Sequence, residues 1–142
     1  MSEAPLLREL VERAYGHYVP RIGLRPAPMD ADYEAIVRAG NAWVADADGA
    51  VAGVLVLAEC DDHLLIENVA VEPSLQGRGV GRALLAFAEA HAAELGLGEL
   101  RLYTHVKMTE NQAIYARLGY REIERRAEKG FARVFMSKRV GE

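Results

Sequence analysis

The sequence predicts a mixed α/β fold, in which helices flank a sheet that contains both parallel and antiparallel strand pairs. Across the 142 residues, helix-like and strand-like hydrophobic patterns follow one another in the order α-α-β-β-β-α-β-α-β-β. Asp48-Gly49 separates two of the strand-like runs and is a strong hairpin signal. A glycine-rich turn joins the third run to an amphipathic helix. The length is that of one domain, so we expect residues 1–142 to form a single domain.

Two helices are expected before the first strand. Residues 3–18 carry apolar side chains at helical spacing, and residues 19–29 contain three prolines, which indicate a loop. Asp30 is expected to cap a second helix that runs to about residue 39, where Gly40 can end it.

Three strands should follow these helices. Residues 42–47 and 50–59 form the predicted hairpin, and residues 64–71 are apolar at nearly every position. Such a run is typical of a central strand that is covered on both faces.

The second half of the sequence alternates helices and strands. The glycine-rich turn opens a helix that runs to about residue 95, and residues 100–106 predict a strand. Thr109 and Gln112 have the spacing of a capping box, with Thr109 as the N-cap of a short helix. Two further strands complete the pattern, at residues 120–126 and 132–138.

Composition argues against several classes of function. The net charge is −4 and the basic residues are scattered, whereas a nucleic-acid-binding protein usually concentrates Lys and Arg on one face. No apolar run approaches the roughly 20 residues that a membrane helix needs. The four histidines have no metal-ligand spacing, so no metal is expected. The N-terminus lacks a secretory-signal pattern and Cys60 is the single cysteine, so we expect a cytoplasmic protein.

Residues 76–82 read Gln-Gly-Arg-Gly-Val-Gly-Arg, between a strand and a helix. Glycine lets another group approach the main chain, and a helix start presents unpaired N–H groups with a partial positive charge. The turn therefore predicts a site for a phosphate or pyrophosphate. A P-loop needs Lys and then Ser or Thr where Arg82-Ala83 stands, and a dinucleotide-binding turn needs an acid after the next strand. Both templates fail, which leaves the pattern Gln76-x-x-Gly79-x-Gly81.

Residues 41–138 resemble the GNAT superfamily of acetyl-CoA-dependent N-acetyltransferases. Four stretches carry the resemblance, in the family's order and spacing: Ile66-Glu67-Asn68-Val69-Ala70-Val71-Glu72-Pro73, Gln76-Gly77-Arg78-Gly79-Val80-Gly81, Asn111-x-x-x-Tyr115 and Leu118-Gly119-Tyr120. The resemblance implies a GNAT-like, mostly antiparallel central sheet flanked by helices. It also implies transfer of an acetyl group from acetyl-CoA to a primary amine by direct attack, with a small molecule or a peptide as the acceptor.

The resemblance further implies which residues bind the cofactor. The pyrophosphate would be held by main-chain N–H groups in the turn that Gln76 opens, namely those of Gly77, Arg78, Gly79, Val80, Gly81 and Arg82. The main chain of Val69 and Val71 would pair with the pantetheine arm, and Asn111 would contact the coenzyme.

Acylation of an amine requires a base, because an alkyl amine with a pKa near 10.4 is almost fully protonated at neutral pH. Glu67 is the candidate, as the only ionisable side chain in residues 64–71. With a period of two it shares a strand face with Leu65, Val69 and Val71, and burial there would raise its pKa toward a useful value. The alternatives are a strand that frays at Glu67, or a pairing with an arginine. The main-chain amide of Val69 is the candidate for polarising the carbonyl.

Tyr115 is the candidate acid. Its phenol, with a pKa of about 10, is protonated at neutral pH and can give a proton to a departing thiolate. Tyr115 lies four residues after Asn111, so both project from one face of the short helix. In the family, the matching tyrosine points at the cofactor sulfur. The alternative is a tyrosine that packs the helix together with Ile114 and Leu118.

The sequence departs from the family pattern at its N-terminus. Family members usually begin with a strand ahead of the first helix, but here residues 2–5 lead almost directly into a helix, so the usual first strand is missing. A truncated N-terminus or a trimmed sheet edge would each explain this. Many similar proteins are dimers, so a homodimer is expected. The alternative function is a non-catalytic coenzyme A-binding module, which acts as a sensor or an assembly surface.

Overall fold

The computed structural model describes residues 4–16, 19–20, 29, 31–47, 50–76, 78–128 and 131–140. The elements follow the predicted order. They are α1 (Ala4–Tyr15), α2 (Tyr33–Arg38), β1 (Ala42–Ala47), β2 (Ala50–Glu59), β3 (Leu64–Val71), α3 (Val80–Glu94), β4 (Glu99–His105), α4 (Thr109–Arg117), β5 (Arg121–Glu128) and β6 (Phe131–Arg139). A short 3-10 helix at Pro73–Leu75 follows β3.

The strands form a mixed sheet with the order β1-β2-β3-β4-β6-β5. Strands β3 and β4 are parallel. The pairs β1 with β2, β4 with β6, and β5 with β6 are antiparallel. The prediction of a mostly antiparallel α/β sheet is confirmed.

The chain divides into two compact units, and the prediction of a single domain stays a prediction. The first unit comprises Met1–Ala58 and Glu67–Phe87. Within it, α1 buries Leu7, Leu10 and Val11, which recur at helical spacing along one side of the helix. Strand β2 is buried at every position from residue 52 to 57, which shows that both of its faces are covered.

The second unit comprises Glu59–Ile66 and Ala88–Glu142. The first three residues of β3 pair in parallel with β4, from Leu64 opposite Leu100 to Ile66 opposite Leu102. Alternate residues of β4 are buried, as the period of two requires, among them Leu100 and Leu102. In the paired strand β6, Val134 and Met136 are buried at the same spacing. An ion pair of 2.7 Å between Lys138 Nζ and Glu89 Oε1 connects β6 with the second half of α3.

Both predicted helix caps need correction. Helix α2 is capped by Asp32, whose Oδ1 accepts a hydrogen bond from the Ala35 N–H at 3.1 Å, whereas Asp30 lies outside the described residues. Helix α4 begins after Met108 as its N-cap and has no side-chain cap. The capping box of Thr109 and Gln112 is therefore wrong, because the Gln112 side chain bonds instead to the carbonyls of His105 and Val106 at the end of β4.

Strand β3 was expected to be covered on both faces, and the structure corrects this expectation. Leu64, Ile66, Asn68 and Ala70 are buried, whereas the residues between them are half-buried or exposed. Most residues of the strand are therefore apolar although only alternate positions are buried.

Within the described part of the chain, no helix is both long enough and apolar enough to cross a membrane.

Candidate functional site

The glycine turn connects β3 to α3 inside the first unit. After β3, the Glu72 N–H donates to the Ala52 carbonyl at 2.8 Å, which holds the strand exit against β2. Gln76 is extended, with φ −63° and ψ 146°, and its Nε2 lies 3.4 Å from the Val71 carbonyl. Gly79 has a φ of +86°, a left-handed conformation that costs an L side chain energy. Gly77 lies outside the described residues.

The main-chain donors at the start of α3 precede the helical hydrogen bonds. The Ala83 N–H donates to the Gly79 carbonyl at 3.0 Å, the first bond of the helix. The N–H groups of Val80, Gly81 and Arg82 come before it and have no acceptor four residues earlier within the helix. This is the arrangement in which a helix start can bind an anion.

The charges around the turn also favour an anion. The first turn of α3 contains no acidic residue, and Arg78 and Arg82 are both exposed. Neither guanidinium pairs with a carboxylate among the described residues. Two uncompensated positive charges therefore add to the partial positive charge of the helix start.

Gly53 on β2 allows α3 to approach the sheet closely. A Cβ at this position would lie 3.0 Å from the Ala70 carbonyl oxygen, from Leu84 Cδ1 and from Val80 Cγ1. Val80 is the first residue of α3, so a larger residue at position 53 would crowd the start of the helix. Sequence reasoning missed this glycine, because a single glycine inside a strand gives only a weak signal of close approach.

Glu67 is exposed, which corrects the expectation of a buried carboxylate. Its strand-face neighbours Leu65, Val69 and Val71 are only half-buried, so this face of β3 does not exclude water. Within the described part of the chain, the Glu67 carboxylate forms no ion pair, so pairing with an arginine is not found there. The side chain is available to solvent and to a bound molecule.

The buried polar residue of β3 is Asn68, which is 6% exposed. The Tyr15 hydroxyl lies 2.8 Å from Asn68 Oδ1 and 3.2 Å from the Val69 carbonyl oxygen, so its proton is shared between two acceptors. Asn68 Nδ2 donates to the Tyr33 hydroxyl at 3.1 Å, and burial raises the pKa of Tyr33. The network joins α1 and α2 to β3. In the sequence, the signal that could have marked Asn68 is a polar amide within a mostly apolar strand.

The remaining predicted residues lie in the second unit. Tyr115 is buried on α4, and its ring meets that of Tyr120 edge-on at 5.9 Å between centroids. Asn111 is half-buried, with Nδ2 at 3.8 Å from Met108 Sδ. Burial raises the pKa of Tyr120, so this neighbour of Tyr115 stays neutral.

Gln112 holds the start of α4 to the end of β4. Its Nε2 donates to the carbonyls of His105 and Val106, at 3.2 and 3.0 Å. His105 Nδ1 in turn accepts the Lys107 N–H at 3.1 Å, which places the proton of the neutral ring on Nε2. Burial, followed by the charges of Lys107 and Arg133, lowers the pKa of His105. The contact between Gln112 and the end of β4 was not predicted, because the spacing of Gln112 from Thr109 matches a capping box.

The predicted site residues thus form two groups. Glu67, Val69, Val71 and the turn residues after Gly77 belong to the first unit, and Asn111 and Tyr115 belong to the second. Val69 and Val71 are half-buried, and Val71 Cγ2 lies 3.5 Å from where a Cβ on Gly81 would stand.

The family model for the Acetyltransferase (GNAT) family matches residues 5–120 of the chain. A streptothricin acetyltransferase of Streptomyces lavendulae is 35% identical over 94 residues, which are 64% of this chain and 46% of that protein. An uncharacterized N-acetyltransferase of Chlorobaculum tepidum is 34% identical over 84 residues, 58% of this chain and 51% of that protein. The matches therefore span about half the length of these curated relatives.

Solved structures share the fold. The PaiA N-acetyltransferase of Thermoplasma acidophilum, solved in complex with coenzyme A, superposes with a TM-score of 0.78 over 96% of this chain and 92% of that chain. At 18% identity this likeness shows the fold alone.

Proposed function

The chain belongs to the acetyltransferase (GNAT) family, and we propose that it transfers an acetyl group from acetyl-CoA to a primary amine by direct attack. The observation that carries the proposal is the main chain at the start of α3, where the N–H groups of Val80, Gly81 and Arg82 have no acceptor within the helix. We assign these donors, with Gly77, Arg78 and Gly79, to the pyrophosphate of the coenzyme. Gln76 opens the turn and supports it from the Val71 carbonyl.

The main chain of β3 is assigned to the acyl end of the cofactor. The Val69 carbonyl already accepts a hydrogen bond from Tyr15, so we assign Val69 through its N–H, which polarises the thioester carbonyl. The main chain of Val71 pairs with the pantetheine arm, and Asn111 contacts the coenzyme. Bound acetyl-CoA supplies the acetyl group and a thiolate leaving group.

Two side chains move the protons. Glu67 accepts a proton from the acceptor ammonium, directly or through water, which leaves a neutral amine able to attack. The new C–N bond forms as the C–S bond breaks, and Tyr115 gives its proton to the sulfur. The acylated nitrogen loses its second proton to solvent, and the Tyr115 phenolate regains a proton from solvent. Because Glu67 is exposed, its carboxylate can meet an acceptor that arrives from solvent.

The acceptor is a small amine or a peptide amine. The similarity to a streptothricin acetyltransferase makes small amines the first compounds to test. The experiment is a panel of small amines and peptides screened for release of free thiol from acetyl-CoA, together with calorimetric binding of acetyl-CoA to the unmodified protein.

Turnover with any amine supports the proposal and identifies the acceptor class. If acetyl-CoA binds but no amine in the panel releases thiol, the chain is a coenzyme A-binding module. If acetyl-CoA does not bind, the assignment of the glycine turn is wrong.

A further inference from the structure

One buried hydroxyl contacts both the main chain of Val69 and the side chain of the residue before it. Tyr15, at the end of α1, contacts the carbonyl of Val69 itself and the carboxamide of Asn68, the residue before it. Both side chains are buried, with 9% of Tyr15 and 6% of Asn68 exposed. The three groups belong to the first unit, and 53 residues separate Tyr15 from Asn68 along the chain.

These contacts fix the direction of one peptide N–H. In a β-strand, the N–H and C=O of one residue point to the same side of the strand. A hydrogen bond that holds the Val69 carbonyl therefore also holds the edge on which the Val69 N–H lies. The Asn68 side chain, bonded to Tyr15 through its Oδ1, limits rotation on the other side of that N–H.

A fixed N–H donor, such as that of Val69, contributes more to catalysis than a mobile one, because no reorganisation is needed when charge develops on the acceptor oxygen. The cost of burying the Asn68 carboxamide in a mostly apolar strand is offset by the hydrogen bonds that its Oδ1 and Nδ2 make. Simple packing would not require it, since leucine or valine fills a buried strand position without polar partners.

We propose that Tyr15 and Asn68 are positioning residues, which aim the Val69 N–H at the thioester carbonyl. This inference rests on the proposed acetyl transfer. Neither residue touches the reacting atoms. Tyr15 acts through the Val69 carbonyl, and Asn68 acts by holding Tyr15 and its own stretch of main chain.

The test compares Tyr15→Phe with Tyr33→Phe. Each variant removes one buried hydroxyl that bonds to Asn68, but Tyr15 bonds to Oδ1 and to the strand carbonyl, whereas Tyr33 bonds to Nδ2. For Tyr15→Phe we expect kcat to fall about tenfold with the Kd for acetyl-CoA changed less than twofold, a fraction of the effect of deleting a main oxyanion donor. For Tyr33→Phe we expect kcat within about twofold of the parent, with a similar loss of thermal stability.

A spectroscopic measurement separates positioning from packing. Acetyl-CoA labelled with ¹³C at the acetyl carbonyl is bound without an acceptor, and its carbonyl stretch is followed by infrared difference spectroscopy. Hydrogen bonding lowers this frequency. The carbonyl band of bound acetyl-CoA should therefore lie below that of free acetyl-CoA in the parent and in Tyr33→Phe, and should return toward the free frequency in Tyr15→Phe.

The inference is overturned if Tyr15→Phe keeps the parental kcat and carbonyl band, or if both variants change them equally. If the parent is active and Tyr15→Phe behaves like the parent, the positioning role is rejected but the acetyltransferase proposal is not. Absence of acetyl-CoA binding by the parent rejects both.

Discussion

The side chain of Gln112 on α4 donates a hydrogen bond to the carbonyl of His105, the last residue of β4, at 3.2 Å. A second bond, of 3.0 Å, reaches the carbonyl of Val106. Two main-chain acceptors at the end of β4 are thereby satisfied by the helix that carries Asn111 and Tyr115. The contact sets the position of this helix relative to β4 within the second unit.

Replacing Gln112 by alanine should lower the free energy of unfolding by about 1–3 kcal/mol, because two part-buried carbonyls lose their donor. Urea unfolding measures this. Thr109→Ala is the matched control, since Thr109 is exposed and caps nothing in α4, and we expect a change within about 0.5 kcal/mol. Equal losses in the two variants would restore the capping-box interpretation.

Gly79→Asp should abolish binding of acetyl-CoA, because it adds a negative charge beside the donors that we assign to the pyrophosphate. Gly96→Asp is matched to it: both glycines have a positive φ, +86° and +76°, and at neither would an added Cβ meet an atom within 4 Å. Both variants should therefore lose a similar stability of about 1–2 kcal/mol. Calorimetry should show binding retained in Gly96→Asp, and retained binding in Gly79→Asp would contradict the assignment of the turn.

Gly53→Ala should destabilise the first unit by about 1–3 kcal/mol and weaken acetyl-CoA binding, because the new methyl group would press on the main chain of Ala70 and on Val80 at the start of α3. Thermal unfolding and calorimetry measure the two effects. Gly98→Ala, where nothing lies within 4 Å of an added Cβ, serves as the control and should leave both unchanged. If Gly53→Ala is destabilised but binds acetyl-CoA with wild-type affinity, crowding at the start of α3 does not affect cofactor binding.

Tyr115→Phe should keep acetyl-CoA binding and lower kcat by about 10²-fold, the lower end of what a positioned proton donor contributes. Tyr120→Phe removes a hydroxyl from the adjacent buried ring and should leave kcat nearly unchanged. Steady-state kinetics with the best amine of the panel provide the measurement. If kcat is unaffected in Tyr115→Phe, another group protonates the thiolate.

His105 should titrate below its ordinary pKa of about 6.5, because burial and the charges of Lys107 and Arg133 disfavour the imidazolium. The unfolded chain then binds a proton more readily than the folded chain. The contribution of His105 to stability is therefore present above pH 6.5 and is lost as the pH falls through the lowered folded value. Proton–nitrogen NMR of the imidazole gives the midpoint and should show the proton of the neutral ring on Nε2.

His105→Gln removes this titration, so its unfolding free energy should fall less between pH 7 and pH 5.5 than that of the parent. A midpoint at or above 6.5, or identical pH dependence in the two proteins, would contradict the expectation.

The elements of the fold followed from local patterns. Strands β1, β2 and β3 end at the predicted residues, because alternation and apolar runs act over a few neighbouring positions. The glycine turn was recognised for the same reason. Asp48 and Gly49, the predicted hairpin signal, lie outside the described residues. The helix caps were assigned wrongly at Asp30 and Thr109, since several polar residues at a helix start compete for one role and sequence alone does not rank them.

The site was predictable only in part. Glu67 was identified as the ionisable residue of β3, but its exposure depends on what covers its strand face. Asn68 was visible in the sequence as part of a motif, but not as a buried centre of hydrogen bonding, because its partner Tyr15 lies 53 residues away. Gln112 and Gly53 were missed because their contacts come from other elements.

By itself, the sequence determined the order of helices and strands, the family resemblance and the place of the glycine turn, since each is written in residues that are neighbours along the chain. Only the tertiary structure decided that Tyr15 reaches the Val69 carbonyl, that Glu67 meets solvent and that α3 can begin close to β2 at Gly53. Burial and hydrogen bonding between distant residues depend on how whole elements pack, and packing brings together residues that no local pattern connects.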